Sequence, residues 1–173
     1  MSSIINATTN NGLVITPDNS GQIQFQLNGV NVPSPSVAPA FSAYAGSAQS
    51  FSAGVSTKVQ VNTKTFDTNN NFDAVTNYRF TPTVAGYYQV NALFYFNIGT
   101  ATSTSFNFYK NGNQVFSQST TSNGAISQNL TTLIYMNGST DYLEVYAFSA
   151  VAFTSIASRP DLYSFSASLV RTA

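Results

Sequence analysis

The sequence predicts an all-β sandwich or jelly roll, and three observations support this fold class. Apolar and polar residues alternate with a period of two along most of the chain, and no run keeps a helical period. Aromatic residues make up 14% of the 173 residues and charged residues only 7%. Asn-Gly dipeptides, which accept the positive φ angles of tight hairpin turns, separate several alternating runs. The spacing of the runs predicts roughly eight to ten strands.

Residues 1–36 predict an N-terminal β-hairpin arm followed by a Pro-rich linker. Apolar residues alternate in two runs on either side of the turn signal Asp18–Gly21: Leu13 and Ile15, then Ile23, Phe25 and Leu27. The hairpin is expected to end at Asn28-Gly29, and the prolines within Val32–Ser36 predict a stiff, extended linker. Because an isolated two-stranded hairpin is only marginally stable in water, this arm has to pack against its own domain, against sister chains or against a host surface.

Residues 37–173 predict one continuous β domain. The predicted strands are Ala40–Tyr44, Lys58–Val61, Tyr78–Phe80, Tyr88–Ile98, Ser105–Tyr109, Gln114–Gln118, Leu130–Met136, Tyr142–Phe148 and Leu162–Val170. In the longest of them, Val90, Phe94 and Phe96 share the inner face. Asn111-Gly112 and Asn137-Gly138 each predict a tight hairpin between the strands that flank them, whereas Phe66–Phe72 predicts an Asn-rich loop.

Five motifs in this domain, in the same order, resemble those of C1q/TNF-like jelly-roll domains. They are Pro39–Ala43 (P-A-F-S-A), Phe80 with Pro82, Gly86, Tyr87 and Tyr88, then Phe108–Gly112, Leu133–Val145 and Ser164–Leu169. The resemblance covers about residues 38–173 and implies a homotrimer of ten-stranded jelly rolls. We expect core and trimer packing from Phe41, Phe80, Gly86, Tyr88, Phe94, Phe96, Phe108 and Phe165.

The sequence departs from that family in four respects, one of which is Val90, at the second position after Tyr87-Tyr88, where an aromatic residue is usual. An acid follows Gly138 at Asp141, two residues later than usual, Ala167 replaces the final glycine, and no collagen-like G-X-Y repeat occurs. These departures concern ligand recognition rather than the fold. The arm segments Gly12–Thr16 and Gln22–Gln26 are similar to repeats in tailed-phage structural proteins, where such hairpins serve as arms or shaft elements.

The composition argues against catalysis and against several classes of partner. His and Cys are both absent, so neither a disulfide nor a Cys/His metal site can form. No base is present to activate a serine, and Asp141 and Glu144 are expected on a solvated edge. The six basic and six acidic residues are scattered singly, so no basic patch predicts binding to nucleic acid or to a membrane. We therefore expect no enzyme, no cofactor and no metal.

Two ligand hypotheses remain as alternatives to ordinary structural roles. Asp67–Asp73 carries oxygen side chains at alternate positions, as calcium loops do, but a solvated Asn-rich loop is the favoured interpretation. A carbohydrate site is the alternative for a set of aromatic residues for which core and trimer packing is the favoured interpretation: Phe94, Tyr95, Phe96, Phe106, Phe108 and Tyr109.

These observations favour a non-enzymatic, homotrimeric virion structural protein. The expected function is that of a phage capsid decoration (cement) protein, placed on the capsid surface and assembled in the host cytoplasm, because neither a signal peptide nor a membrane span is visible. It would bind the major capsid protein or another virion protein through Leu13, Ile15, Ile23, Phe25 and Leu27 of the arm. The alternatives are the receptor-binding tip of a tail fibre and a C1q-like lectin or binding module.

Overall fold

The computed structural model describes Phe25–Leu27, Val30–Val32 and residues 38–173, and every regular element in these residues is a β-strand. The chain divides into two units, Met1–Ser34 and Pro35–Ala173. The described strands are β1 (Phe25–Leu27), β2 (Val30–Val32), β3 (Ala40–Tyr44), β4 (Ser50–Phe51), β5 (Thr57–Lys58), β6 (Thr63–Asp67), β7 (Phe72–Asp73), β8 (Arg79–Phe80), β9 (Gly86–Phe96), β10 (Thr102–Lys110), β11 (Asn113–Ser122), β12 (Ile126–Met136), β13 (Leu143–Ser149), β14 (Phe153–Thr154) and β15 (Tyr163–Thr172).

In the N-terminal unit, β1 pairs antiparallel with β2. Phe25 is opposite Val32 and Leu27 is opposite Val30, so Asn28-Gly29 lies between the two strands. The sequence-based assignment of Val32 to the linker was therefore wrong, because this residue belongs to a strand. The predicted first run, with Leu13 and Ile15, and the turn signal Asp18–Gly21 lie outside the described residues.

The second unit is built around two antiparallel sheets. One sheet runs in the order β12-β9-β15-β3-β6, and the other in the order β11-β10-β13-β8-β7, with β5 also paired to β13. A short two-stranded pair, β14 with β4, completes the described strands of this unit. This architecture confirms the predicted all-β jelly roll. None of the described residues forms a helix of the length and hydropathy needed to cross a membrane.

The alternation predicted for the longest strand is confirmed by β9. Tyr88, Val90, Phe94 and Phe96 are almost completely buried, with at most 1% exposure, whereas Tyr87 on the opposite face is 48% exposed. Each buried side chain points between the two sheets because successive residues of a strand face opposite ways. The sheet therefore covers the core with one face and leaves the other uncovered.

The core is largely aromatic. Phe41 stacks on Phe72 at 4.4 Å and on Phe80 at 4.7 Å between ring centroids, and meets Phe165 edge-on at 4.9 Å. Around Phe94 a second cluster forms, with ring centroids at 5.0 Å to Tyr163 and 5.4 Å to both Phe51 and Phe106. Offset and edge-to-face pairs of this kind add to the stabilisation that burial itself provides.

The predicted hairpin at Asn137-Gly138 was wrong. The strand before it, β12, pairs with β9, whereas the strand after it, β13, pairs with β10, β8 and β5 in the other sheet. Here the chain crosses from one sheet to the other. Gly138 has a φ of +70°, and a Cβ at this position would lie 2.2 Å from the backbone nitrogen of Ala85. Glycine is needed because the crossing brings two backbones into close approach.

Two further segments differ from the sequence-based boundaries. The strand predicted at Lys58–Val61 ends at Lys58, although Val59 and Val61 are still buried at 2% and 1% exposure. The Asn-rich loop is shorter than predicted, because β6 extends to Asp67 and β7 begins at Phe72. Both differences concern short strands at the borders of their sheets, where alternation alone defines boundaries poorly.

Candidate binding surfaces

The structure places the eight predicted packing residues inside one monomer. Phe41, Phe80, Gly86, Tyr88, Phe94, Phe96, Phe108 and Phe165 are all buried. Contacts within a single chain account for them, so contacts with a sister chain have to come from other residues. Of the predicted arm residues, Phe25 and Leu27 lie in β1, and Leu13, Ile15 and Ile23 lie outside the described residues.

The uncovered side of the five-stranded sheet is an extended, mostly uncharged surface, bordered at one end by Arg171, which lies opposite Tyr87. We call it the five-strand outer face and define it by Ser42, Tyr44, Tyr87, Gln89, Asn91, Leu93, Tyr95, Asn129, Thr131, Leu133, Tyr135, Ser164, Ser166 and Ser168. No side chain in this set is charged at neutral pH. Leu133 is 55% exposed, Tyr87 48% and Tyr135 42%, so three large apolar groups meet solvent together at one end. Exposed apolar groups that cluster in this way mark sites of association.

Hydrogen bonds and ring contacts hold this face in one conformation. Gln89 donates to Thr131 Oγ1 at 2.9 Å, and Thr131 Oγ1 donates to Asn91 Oδ1 at 2.7 Å. At the apolar end, the rings of Tyr87 and Tyr135 lie 5.5 Å apart. A pre-ordered face loses less conformational entropy when a partner covers it.

The sequence reasoning missed Leu133 and Tyr135 as surface residues. The signal was present, because Leu130–Met136 is apolar on both faces of its strand: Leu130 is buried at 1% exposure while Leu133 is half exposed. Apolar residues on both faces of a strand are typical of strands that are buried on both faces.

The expectation of a solvated edge for Asp141 and Glu144 was wrong, since their exposures are only 7% and 4%. Asp141 forms an ion pair with Lys110 at 2.7 Å and accepts a hydrogen bond from Asn111 Nδ2 at 2.7 Å. Burial raises the pKa of Asp141, but the hydrogen bonds from Lys110, Asn111 and the Asn137 amide outweigh burial and leave this pKa below its ordinary value.

Glu144 lies on the outer side of β13, where Lys58 of the neighbouring β5 covers it. Lys58 Nζ is 2.5 Å from Glu144 Oε1, and Tyr146 Oη lies 3.5 Å from Glu144 Oε2. Sequence alone does not reveal the pair, because its members are 86 residues apart along the chain. Asp141 and Glu144 are therefore each paired with a lysine that belongs to a different strand, Lys110 of β10 and Lys58 of β5.

The acids of the Asn-rich segment cap turns. Asp67 accepts hydrogen bonds from the amides of Asn71 at 2.9 Å and Phe72 at 3.0 Å. Asp73 accepts from the amides of Thr76 and Val75, each at 2.9 Å, and these bonds hold the pKa of Asp73 far below its ordinary value. A calcium ion would have to displace these amides. Within residues 38–173, no three acids or other metal-binding side chains gather as a metal site requires.

Comparisons with known proteins identify the fold. No protein-family model matches the chain, and no curated protein matches it significantly. Eiger TNF from S. frugiperda is similar in structure, with 12% identity and a TM-score of 0.61 over 79% of this chain and 93% of that one. The globular domain of zebrafish complement 1qA protein has 17% identity and a TM-score of 0.56 over 79% of this chain and 99% of its own.

A virion protein also has this fold. The PRD1 vertex protein P5 is 12% identical, with a TM-score of 0.50 over 77% of this chain and 97% of that one. The described domain is therefore a jelly roll of the TNF/C1q-like kind.

Proposed function

We propose that this protein is a non-enzymatic, homotrimeric virion structural protein that decorates an assembled capsid. The observation that carries the proposal is the five-strand outer face, on which Leu133, Tyr87 and Tyr135 are exposed together. The charges beside them are Arg171, which pairs with Tyr87, and Lys110, whose ammonium lies 5.5 Å from the centre of the Tyr135 ring. Three copies around one axis would cover this surface in a closed ring, because the same two patches of each chain meet at every contact. The resemblance to C1q/TNF-like domains favours three copies.

The placement on a virion is supported by two observations of different kinds. The PRD1 vertex protein P5 shares the fold, and the arm sequence resembles phage structural repeats. In our proposal Leu13, Ile15, Ile23, Phe25 and Leu27 contact the major capsid protein or another virion protein at the capsid surface, after assembly in the host cytoplasm. Binding only to the assembled shell would stabilise that shell by mass action.

Deletion of residues 1–30 tests the arm. We expect the shortened protein to remain a soluble trimer in light scattering, because the jelly roll keeps its core, but to lose co-sedimentation with capsids. The matched control is the full chain with Val55→Ser, which removes a 50% exposed apolar side chain from the jelly roll instead. If the shortened protein co-sediments as the full chain does, the arm is not the capsid contact.

A receptor-binding tip of a tail fibre, or a lectin, is the second candidate. The observation that favours it is a hydroxyl-rich groove on the six-stranded sheet, lined by Ser103, Ser119, Thr121 and Phe148 among others. Gold-labelled antibody on intact particles separates the two candidates: label over the shell supports decoration, and label at the tail supports the fibre.

A further inference from the structure

The outer side of the six-stranded sheet carries a groove of about 410 Å³ between β10, β11 and β13. Its lining consists of Ser and Thr residues of the first two strands together with Phe148 of the third. The register explains this composition, because Ser105 pairs with Ser119 on one side and with Phe148 on the other. The volume is within the range of small-molecule sites, roughly 300–1,000 Å³.

Phe148 differs from most phenylalanines of the domain. It is half-buried, and its ring contacts no other aromatic ring among residues 38–173. Only Phe66, in β6 of the other sheet, shares that property within the same residues. The Phe148 ring therefore lines the groove without a stacking partner from its own chain.

The hydroxyl groups beside this ring have unused hydrogen-bonding capacity. Ser103 Oγ and Thr121 Oγ1 are 3.4 Å apart, and Ser119 Oγ has its closest polar contact to Ser117 Oγ at 3.5 Å. A hydroxyl can donate one hydrogen bond and accept two, so each of these groups can still bind a ligand. Both distances are long for hydrogen bonds between hydroxyl groups, so a ligand that replaces these contacts sacrifices only weak hydrogen bonds.

Buried polar residues beside the groove fix part of its wall. Asn107 is 2% exposed; its Nδ2 donates to Ser105 Oγ at 3.2 Å, and its Oδ1 accepts from Ser117 Oγ at 2.6 Å. On the core side of β10, Thr104 is fixed by a hydrogen bond at 3.0 Å from the buried Gln128. Strand β10, which carries Ser103 and Ser105, is therefore held in place before any ligand arrives.

We propose that this groove binds a neutral pyranose unit of a glycan. A pyranose ring has an apolar face of C–H groups that packs on an aromatic ring, and an edge of hydroxyl groups that both donate and accept hydrogen bonds. Phe148 supplies the first contact, and Ser103, Ser119 and Thr121 supply the second. The ligand is neutral because no residue lining the groove is charged.

The groove does not overlap the five-strand outer face. It lies on the outer side of the six-stranded sheet, whereas the five-strand outer face belongs to the sheet on the opposite side of the core. The inference stands on β10, β11 and β13 alone, so it does not depend on where the protein sits in a virion.

The experiment is a titration of the full-length, ¹⁵N-labelled protein with methyl pyranosides of glucose, galactose, mannose and N-acetylglucosamine. We expect at least one of them to shift the amide resonances of β10 and β11, and the methyl glycoside of N-acetylneuraminic acid, a single anionic sugar, to bind no better. Phe148→Leu keeps apolar bulk but removes the aromatic ring, and we expect it to weaken binding at least tenfold. Phe66→Leu is the matched control and should bind as the wild type does.

A second variant keeps the test valid if Phe148→Leu folds poorly. Ser119 is exposed on β11, so Ser119→Gln fills the groove without touching the core and should also abolish the shifts. Thermal melting checks that each variant is folded. The proposal is overturned if none of the four neutral sugars shifts these resonances, if only the anionic sugar does, or if a folded groove variant binds like the wild type.

Discussion

Among the described glycines with positive φ, Gly138 is the one that a larger residue can replace least easily. A Cβ there would lie 2.2 Å from the Ala85 nitrogen and 2.5 Å from the Val84 carbonyl carbon, and both are backbone atoms that cannot rotate away. We expect Gly138→Ala to lower the free energy of unfolding by at least about 3 kcal/mol, since strain and a steric clash add. Urea unfolding followed by fluorescence measures this change.

Gly54→Ala is the control for that substitution. Gly54 has a φ of +72°, close to that of Gly138, but no atom lies within 4 Å of its Cβ position. Gly54→Ala should lower the free energy of unfolding by only about 1–2 kcal/mol, which is the cost of placing an alanine in the left-handed conformation. Equal losses for the two variants would show that the sheet crossing tolerates a side chain.

Phe165 belongs to the aromatic cluster around Phe41 and extends it to Phe108 of the other sheet. It is 0% exposed and has ring contacts with Phe41 at 4.9 Å and with Phe108 at 6.1 Å between centroids. Phe165→Ala should lower the free energy of unfolding by about 3–5 kcal/mol, because it removes apolar contact and leaves a cavity. Phe66→Ala, at a residue that is 49% exposed, is expected to cost far less. A thermal melt of Phe165→Ala like that of the wild type would contradict this prediction.

Identical turn signals produce different structures at Asn111-Gly112 and at Asn137-Gly138. Asn111 and Gly112 have φ values of 53° and 78°, the paired positive values of a tight hairpin turn. Asn137 instead uses its side chain, whose Oδ1 accepts hydrogen bonds from the amides of Ser139, Thr140 and Asp141. The backbone is thereby turned toward the other sheet. An Asn-Gly dipeptide forms a hairpin turn when its flanking strands join the same sheet, and a crossing when they join different sheets. The residues around the dipeptide do not determine which of the two occurs.

What the sequence predicts well is the inner face of each long strand. In β9 and β15 the alternation identifies the buried residues correctly, because only one register places every aromatic residue inside. It does not predict pairs of charges that meet through the fold. Lys58 and Glu144 approach only because β5 pairs with β13 across 86 residues of sequence. Buried acids were therefore mistaken for solvated ones.

The carboxylate of Asp141 ties the end of β10 to the turn after β12, so acid should loosen these elements. Its pKa is lowered in the folded protein, as is that of Asp73. A carboxylate whose pKa is lowered by folding stabilises the folded state fully at pH values above its pKa in the unfolded chain, about 3.9. This stabilisation is lost as the pH falls below that value. We expect the free energy of unfolding to fall as the pH is lowered from about 4 to 2. Asp141→Asn should make that fall smaller, and an unchanged pH dependence would contradict the assignment.

At the scale of the whole molecule, the five-strand outer face is the test of self-association. Leu133→Asp places a charge at the centre of its exposed apolar end, which a covering subunit would have to desolvate. We expect the trimer to dissociate to monomers in size-exclusion chromatography with light scattering. Val55→Asp is the matched control, because Val55 is 50% exposed and Leu133 55%. If Leu133→Asp elutes with the mass of the wild type, this face does not hold the oligomer together.

Strand β15 lies at the centre of its sheet, between β9 and β3, although β3 precedes it by more than a hundred residues: Phe41 pairs with Ala167. During translation β3 and β9 emerge from the ribosome long before Tyr163–Thr172 does. Until then the sheet lacks its middle strand, and two unpaired strand edges face solvent. Such a long-range closure folds slowly and exposes the nascent chain to wrong pairings. Refolding should therefore be slow, and chaperones that shield strand edges should raise its yield.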